Sequence, residues 1–147
     1  MIDRRGFLAL SALGAVAGVA GACSTRPEQK PIADPAAAAP VELDMNARAT
    51  TVDLGGLTVD TWTYTGTVPA KEIRLQKAQL LRAHVTNDLP QETTVHWHGL
   101  AIPNKMDGVP VLTQPAIPPG GKFTYEFTAP DAGTYYIHSH VGTQLDR

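Results

Sequence analysis

Turn residues punctuate positions 50–140 at short, regular intervals, and no helical period fits between them. Gly55-Gly56 separates two β-type runs, 50–54 and 57–64, as a two-residue hairpin signal. Asn87-Asp88-Leu89-Pro90 closes the alternating run 80–87. Pro118-Pro119-Gly120-Gly121 leads into 122–128, where Phe123, Tyr125 and Phe127 share one face. Asp131-Ala132-Gly133 leads into 134–140, and the short runs 73–76 and 93–98 complete the expected strands. Residues 102–119 carry Pro103, Pro110, Pro115, Pro118 and Pro119 as well as Gly108, so they read as a long loop. Short strands with this spacing bury their apolar faces only by stacking or closing sheets. The expected fold is all-β, a Greek-key sandwich or barrel.

Length and composition agree with that reading. The 147 residues suit one domain plus a leader, and 43% hydrophobic content supports a core. The formal net charge is −2 and no Lys/Arg run stands out, so nothing marks a nucleic-acid partner. A single cysteine excludes an internal disulfide.

The N-terminus reads as an export signal over 1–22. Arg4-Arg5 precede Gly6-Phe7-Leu8, and the run 6–22 is uncharged and rich in Ala, Gly, Leu and Val. A basic start and a short apolar stretch fit a signal peptide better than a spanning helix, and the arginine pair resembles a twin-arginine (Tat) signal. Val19-Ala20-Gly21-Ala22 before Cys23 resembles a bacterial lipoprotein cleavage box, which would make Cys23 a lipidated N-terminus and the membrane contact a lipid anchor only. The other reading is cleavage nearby with Cys23 discarded or left free. Pro27, Pro31, Pro35, Pro40 and the alanines 36–39 suggest a disordered tether over 23–47, with the folded domain at 48–147. The expected location is the periplasm or the outer face of the cell membrane.

Four of the five histidines occur as two His-x-His pairs, His96/His98 and His138/His140. On a strand, residues two apart face the same way, about 6.5 to 7 Å apart. That spacing is awkward for one ion bound at about 2.0 Å but suits ions lying side by side. Trp97 then points the other way, to pack. Two strands so equipped present four inward imidazoles, a donor set that suits copper or zinc rather than hard cations. His84 lacks such a partner and reads as an ordinary strand residue.

Thr94-Val95-His96-Trp97-His98-Gly99-Leu100, Met106-Asp107-Gly108-Val109-Pro110, the 118–121 turn and Gly133-Thr134-Tyr135-Tyr136-Ile137-His138-Ser139-His140 occur in that order. Together they resemble the N-terminal, plastocyanin-like cupredoxin domain of laccase-like multicopper oxidases, over roughly residue 50 to the C-terminus. The resemblance implies a cupredoxin fold and an oxidoreductase that couples substrate oxidation to reduction of O2 to water. It implies that His96 binds the type 2 copper and that His98, His138 and His140 bind the type 3 pair. It further implies that Asp107 helps deliver protons to O2. Asp107-Gly108 is also an ordinary turn pair, and the sequence alone does not separate the two roles.

The chain departs from the family in two ways. A full trinuclear cluster takes eight histidines, and the motifs that supply the other four are absent. The thiolate of a type 1 copper is absent too, because the one cysteine is Cys23 in the leader. The resemblance therefore implies a fragment that holds half of a copper cluster, is inactive alone, and is completed by further cupredoxin domains, with O2 and a phenolic or metal-ion reductant as reactants. The competing reading is a non-catalytic copper-sequestering module at the cell surface. An electron carrier is opposed by the missing thiolate, a nitrite reductase fits the pairs poorly, and a four-histidine zinc site is the weaker metal choice.

Overall fold

A computed structural model describes residues 38–146. The expected signal, Cys23 and most of the expected tether lie outside the described residues. Six strands form: β1 (Val41–Asp53), β2 (Thr58–Thr63), β3 (Leu80–Asn87), β4 (His96–His98), β5 (Lys122–Thr128) and β6 (Tyr136–His138). Helical structure is limited to two short 3-10 turns, Asn104–Met106 and Gln144–Asp146, among the described residues. No helix among them is long and apolar enough to cross a membrane.

β2, β1, β3 and β5 make one four-stranded sheet in that order, and β4 and β6 make a second sheet. β1 changes partner along its length. Residues 41–47 run parallel to β3, from Val41↔Leu81 to Ala47↔Asn87. Residues 48–53 run antiparallel to β2, from Arg48↔Thr63 to Asp53↔Thr58. β3 and β5 pair antiparallel through Ala83↔Tyr125. This is the expected all-β cupredoxin architecture.

Three local expectations change. Residues 41–47 are strand rather than tether, so ordered structure starts before residue 48. The reason is a period of two: Val41, Leu43, Met45 and Ala47 turn inward while Glu42 and Asp44 stay exposed. Residues 73–76 are not a strand. Ile73 and Leu75 do pack on the core, but the backbone there turns, with Gln79 donating to the Gln76 carbonyl at 3.0 Å. The Gly55-Gly56 hairpin spans residues 54–57 rather than two, since Asp53 is the last residue paired to Thr58. Asp53 Oδ1 accepts from Gly56 N–H at 2.6 Å and closes the wider loop.

Trp97 ties the small sheet to the large one. Its ring meets Phe127 edge-on at 4.9 Å and Tyr125 at 5.8 Å, and it is buried. Tyr125 is fully buried, and its hydroxyl accepts from Val95 N–H at 2.9 Å. Val95 and Trp97 therefore fix the inward face of the strand that carries His96 and His98, and the alternation forces both imidazoles to the opposite face.

Burial pushes the Tyr125 phenol up to about 12, against hydrogen bonds from Val95 and Gln114 that favour the phenolate. Folding thus favours neutral tyrosine. The resulting stability is complete below pH 10, falls as pH rises towards 12, and has a ceiling of roughly 2–3 kcal/mol. Tyr125→Phe should cost about 1 kcal/mol at pH 7, because Val95 N–H loses its acceptor. It should then lose less stability than the wild type between pH 9 and 11. Urea midpoints across that range test this, and parallel curves for the two proteins would contradict it. Tyr64, raised in the same direction by burial, keeps some alkaline slope in both.

Candidate metal centre

β4 and β6 pair antiparallel in the register His96↔His138, Trp97↔Ile137, His98↔Tyr136. The register sets the two histidine pairs across from each other. His96 and His138 ring centroids lie 5.1 Å apart, His96 and His140 5.2 Å, and His98 and His138 5.4 Å. All four sequence-predicted histidines gather on one face. His96 and His138 are half-buried, while His98 and His140 are exposed, so the cluster opens on one side.

Backbone carbonyls assign the free nitrogens. His96 Nδ1 lies 2.6 Å from the Asp107 carbonyl oxygen, which can only accept, so Nδ1–H donates and Nε2 keeps its lone pair. His138 Nδ1 donates likewise to the Ser139 carbonyl at 2.8 Å, leaving its Nε2 free. His98 Nδ1 faces that Nε2 at 3.2 Å. Two nitrogens in the shell of one ion at about 2.0 Å stand about 2.8 to 3.3 Å apart. One ligand nitrogen from each of His96, His98 and His138 lies within 4.8 Å of the others; His140 is outside that group. Neutral imidazoles with oriented lone pairs fit copper or zinc.

Asp107 reaches the site twice. Its carbonyl holds His96, and its carboxylate Oδ1 lies 3.4 Å from the same Nδ1. Asp107 thus sits in the turn before Gly108 and also touches His96. The turn itself delivers the carbonyl, since Gly108 at φ +75° lets the loop press against Val95.

Sequence reasoning missed Tyr136, whose ring stacks on His98 at 4.5 Å and an interplanar angle of 20°. Its position two before His138 was the available signal, since both share a strand face. It also missed the carbonyls of Asp107 and Ser139, which no side-chain pattern marks. His84 lies elsewhere, on the outer face of the large sheet, bonded to Glu42 at 3.0 Å and Thr124 at 3.1 Å. That contact from His84, with help from Arg82, holds the Glu42 carboxyl below its ordinary value.

Comparison with known proteins agrees with the geometry. A family model described as multicopper oxidase matches residues 46–146. The multicopper oxidase MmcO of Mycobacterium tuberculosis is 40% identical over 98% of this chain and 30% of its own length. Copper resistance protein A of Escherichia coli is 34% identical over 97% of this chain and 24% of its own. The blue copper oxidase of Nitrosomonas europaea superposes with a TM-score of 0.67 at 37% identity, covering 71% of this chain and 34% of that one. The chain thus spans about a third or less of the length of these relatives. With the histidine face, the fold and the sequence match in agreement, the chain belongs to the multicopper oxidases.

Proposed function

We propose that this domain supplies one half of a trinuclear copper centre in an exported multicopper oxidase that couples substrate oxidation to reduction of O2. The observation that carries the proposal is the facing of His98 Nδ1 and His138 Nε2 at 3.2 Å, each on its own strand. Those two nitrogens suit one ion of the type 3 pair. His140, outside the tight group, suits the second type 3 ion, and His96 the type 2 ion. Copper, when bound, supplies the redox chemistry that passes electrons to O2.

The chain's own groups hold and shield. The Asp107 and Ser139 carbonyls keep His96 and His138 in the tautomer that presents Nε2. Tyr136 covers one face of His98 and limits its rotation. On this reading the Asp107 carboxylate, 3.4 Å from His96 Nδ1, would supply protons, which full reduction of O2 consumes. The remaining ligands and the type 1 site come from partner cupredoxin domains, since Cys23 is the only cysteine of this chain. The reductant is a phenol or a metal ion, and Cys23 carries the lipid that holds the protein at the membrane.

Copper stoichiometry and O2 uptake with a phenolic dye test the proposal. The 147-residue chain should bind copper through imidazole nitrogen and show no turnover. A longer protein carrying the partner domains should bind more copper per chain and consume O2. Sustained oxidase turnover by this chain alone would overturn the half-site reading. Copper binding without O2 uptake in the longer protein would favour a sequestering module instead.

A further inference from the structure

The β4–β6 ladder ends at His96↔His138, and His140 lies beyond it. The aromatic rings beside its own are imidazoles, His96 at 5.2 Å and His138 at 6.1 Å. Its backbone is held from the opposite strand, where His140 N–H donates to Thr94 Oγ1 at 3.2 Å. Ser139, between the two ligand histidines, sends its hydroxyl away from them. There the Gln144 amide gathers three partners. Its Oε1 accepts from Ser139 Oγ at 2.7 Å and from Thr93 Oγ1 at 2.9 Å. Its Nε2 donates to the Glu92 carbonyl at 2.7 Å. Val141 N–H donates to Ser139 Oγ at 3.2 Å, and the Thr93 hydroxyl also reaches that oxygen directly, at a longer 3.3 Å. Thr93 and Thr94 are buried, so the hydroxyls have little water to fall back on.

We infer that Gln144 is a positioning residue for the second histidine pair. It ties Ser139 to residues 92–93, the segment that leads into His96, and so links the two pairs where no backbone ladder does. Ser139 is the point of leverage. Side chains alternate along an extended segment, so a shift at Ser139 swings His138 and His140 together. Metal–nitrogen distances in a built site fall within about 0.2 Å of their ideal values, so holding Ser139 in place holds both imidazoles to that geometry. The inference rests on the reading of these imidazoles as metal ligands.

The test uses the full chain, with Gln144→Leu and Gln144→Glu beside the wild type. Long-range 1H–15N spectra of the metal-free chain should show His138 locked with its proton on Nδ1 in the wild type. In Gln144→Leu that ring should average between tautomers, while His96, held by Asp107, stays locked. Cu(II) affinity should fall about 10- to 100-fold, the usual cost of an outer hydrogen-bond partner. Gln144→Glu keeps an oxygen that accepts from both hydroxyls but sets its second oxygen against the Glu92 carbonyl, so its loss of affinity should be partial and smaller than that of Gln144→Leu. Ser139→Ala, which leaves the Thr93–Gln144 bond in place, should shift the same His138 signals if Gln144→Leu does not fold. Unchanged His138 signals and unchanged affinity in Gln144→Leu would overturn the inference. If Cu(II) on the wild-type chain shows no nitrogen coupling in its EPR spectrum, the metal reading fails, and the tautomer comparison still decides the role of Gln144.

Discussion

Gly108→Ala should abolish cooperative folding of this domain, or lower its stability by more than about 4 kcal/mol, the range reserved for severe lesions. A Cβ at Gly108 would stand 2.0 Å from the Val95 carbonyl oxygen, 2.5 Å from its carbon and 2.9 Å from His96 N. All three are backbone atoms of the segment that carries the first histidine pair, so no side chain can move aside. The φ of +75° adds about 1–2 kcal/mol for any L-residue. Relief requires moving either the 3-10 turn Asn104–Met106 and its exit or the strand itself. Either movement takes the Asp107 carbonyl from His96, so the ring loses its fixed tautomer along with its backbone support. Gly120 provides the control. It has φ +74° and nothing within 4 Å of a Cβ, so Gly120→Ala isolates the conformational cost alone. Thermal melts followed by circular dichroism would compare the two, and a Gly108→Ala midpoint equal to that of Gly120→Ala would contradict the steric argument.

The same contact shows where a sequence stops being informative. The histidine pairs were legible because a period of two is a local property of extended chain, and so was the aromatic face of Phe123, Tyr125 and Phe127. The Asp107-Gly108 turn was legible as a turn. That its carbonyl would land 2.6 Å from His96 Nδ1 was not, because main-chain oxygens carry no residue-type signature. The start of β1 was obscured by the Pro- and Ala-rich stretch before it, although Val41, Leu43, Met45 and Ala47 already alternate. Residues 73–76 show the converse failure. Ile73 and Leu75 do face the core, yet apolar alternation reports burial and not whether a neighbouring strand exists to pair with. The role of Gln144 depends on the Thr93 hydroxyl, 51 residues away in the chain, a relation that only the β4–β6 register creates.

That register also makes a prediction about energetic coupling between the proposed copper ligands. His98→Ala and His138→Ala should each remove one Cu(II) site from the chain, weakening it by more than the roughly 100-fold upper cost of losing an outer partner. If their nitrogens, 3.2 Å apart, serve the same ion, the first truncation already destroys that site. The double variant should then lose little beyond either single one, a strongly non-additive result. His96 differs. Its Nε2 points from the other end of β4, with Nδ1 committed to Asp107, so His96→Ala combined with His98→Ala should lose affinity at two ions and come closer to additivity. His84→Ala, on the outer face of the large sheet, should leave all Cu(II) sites unchanged. Isothermal titration of the single and double variants, with EPR counting of coupled nitrogens, measures each term. Additive losses for His98 and His138 would mean that they hold separate ions, and the pairing drawn from the 3.2 Å contact would then be wrong.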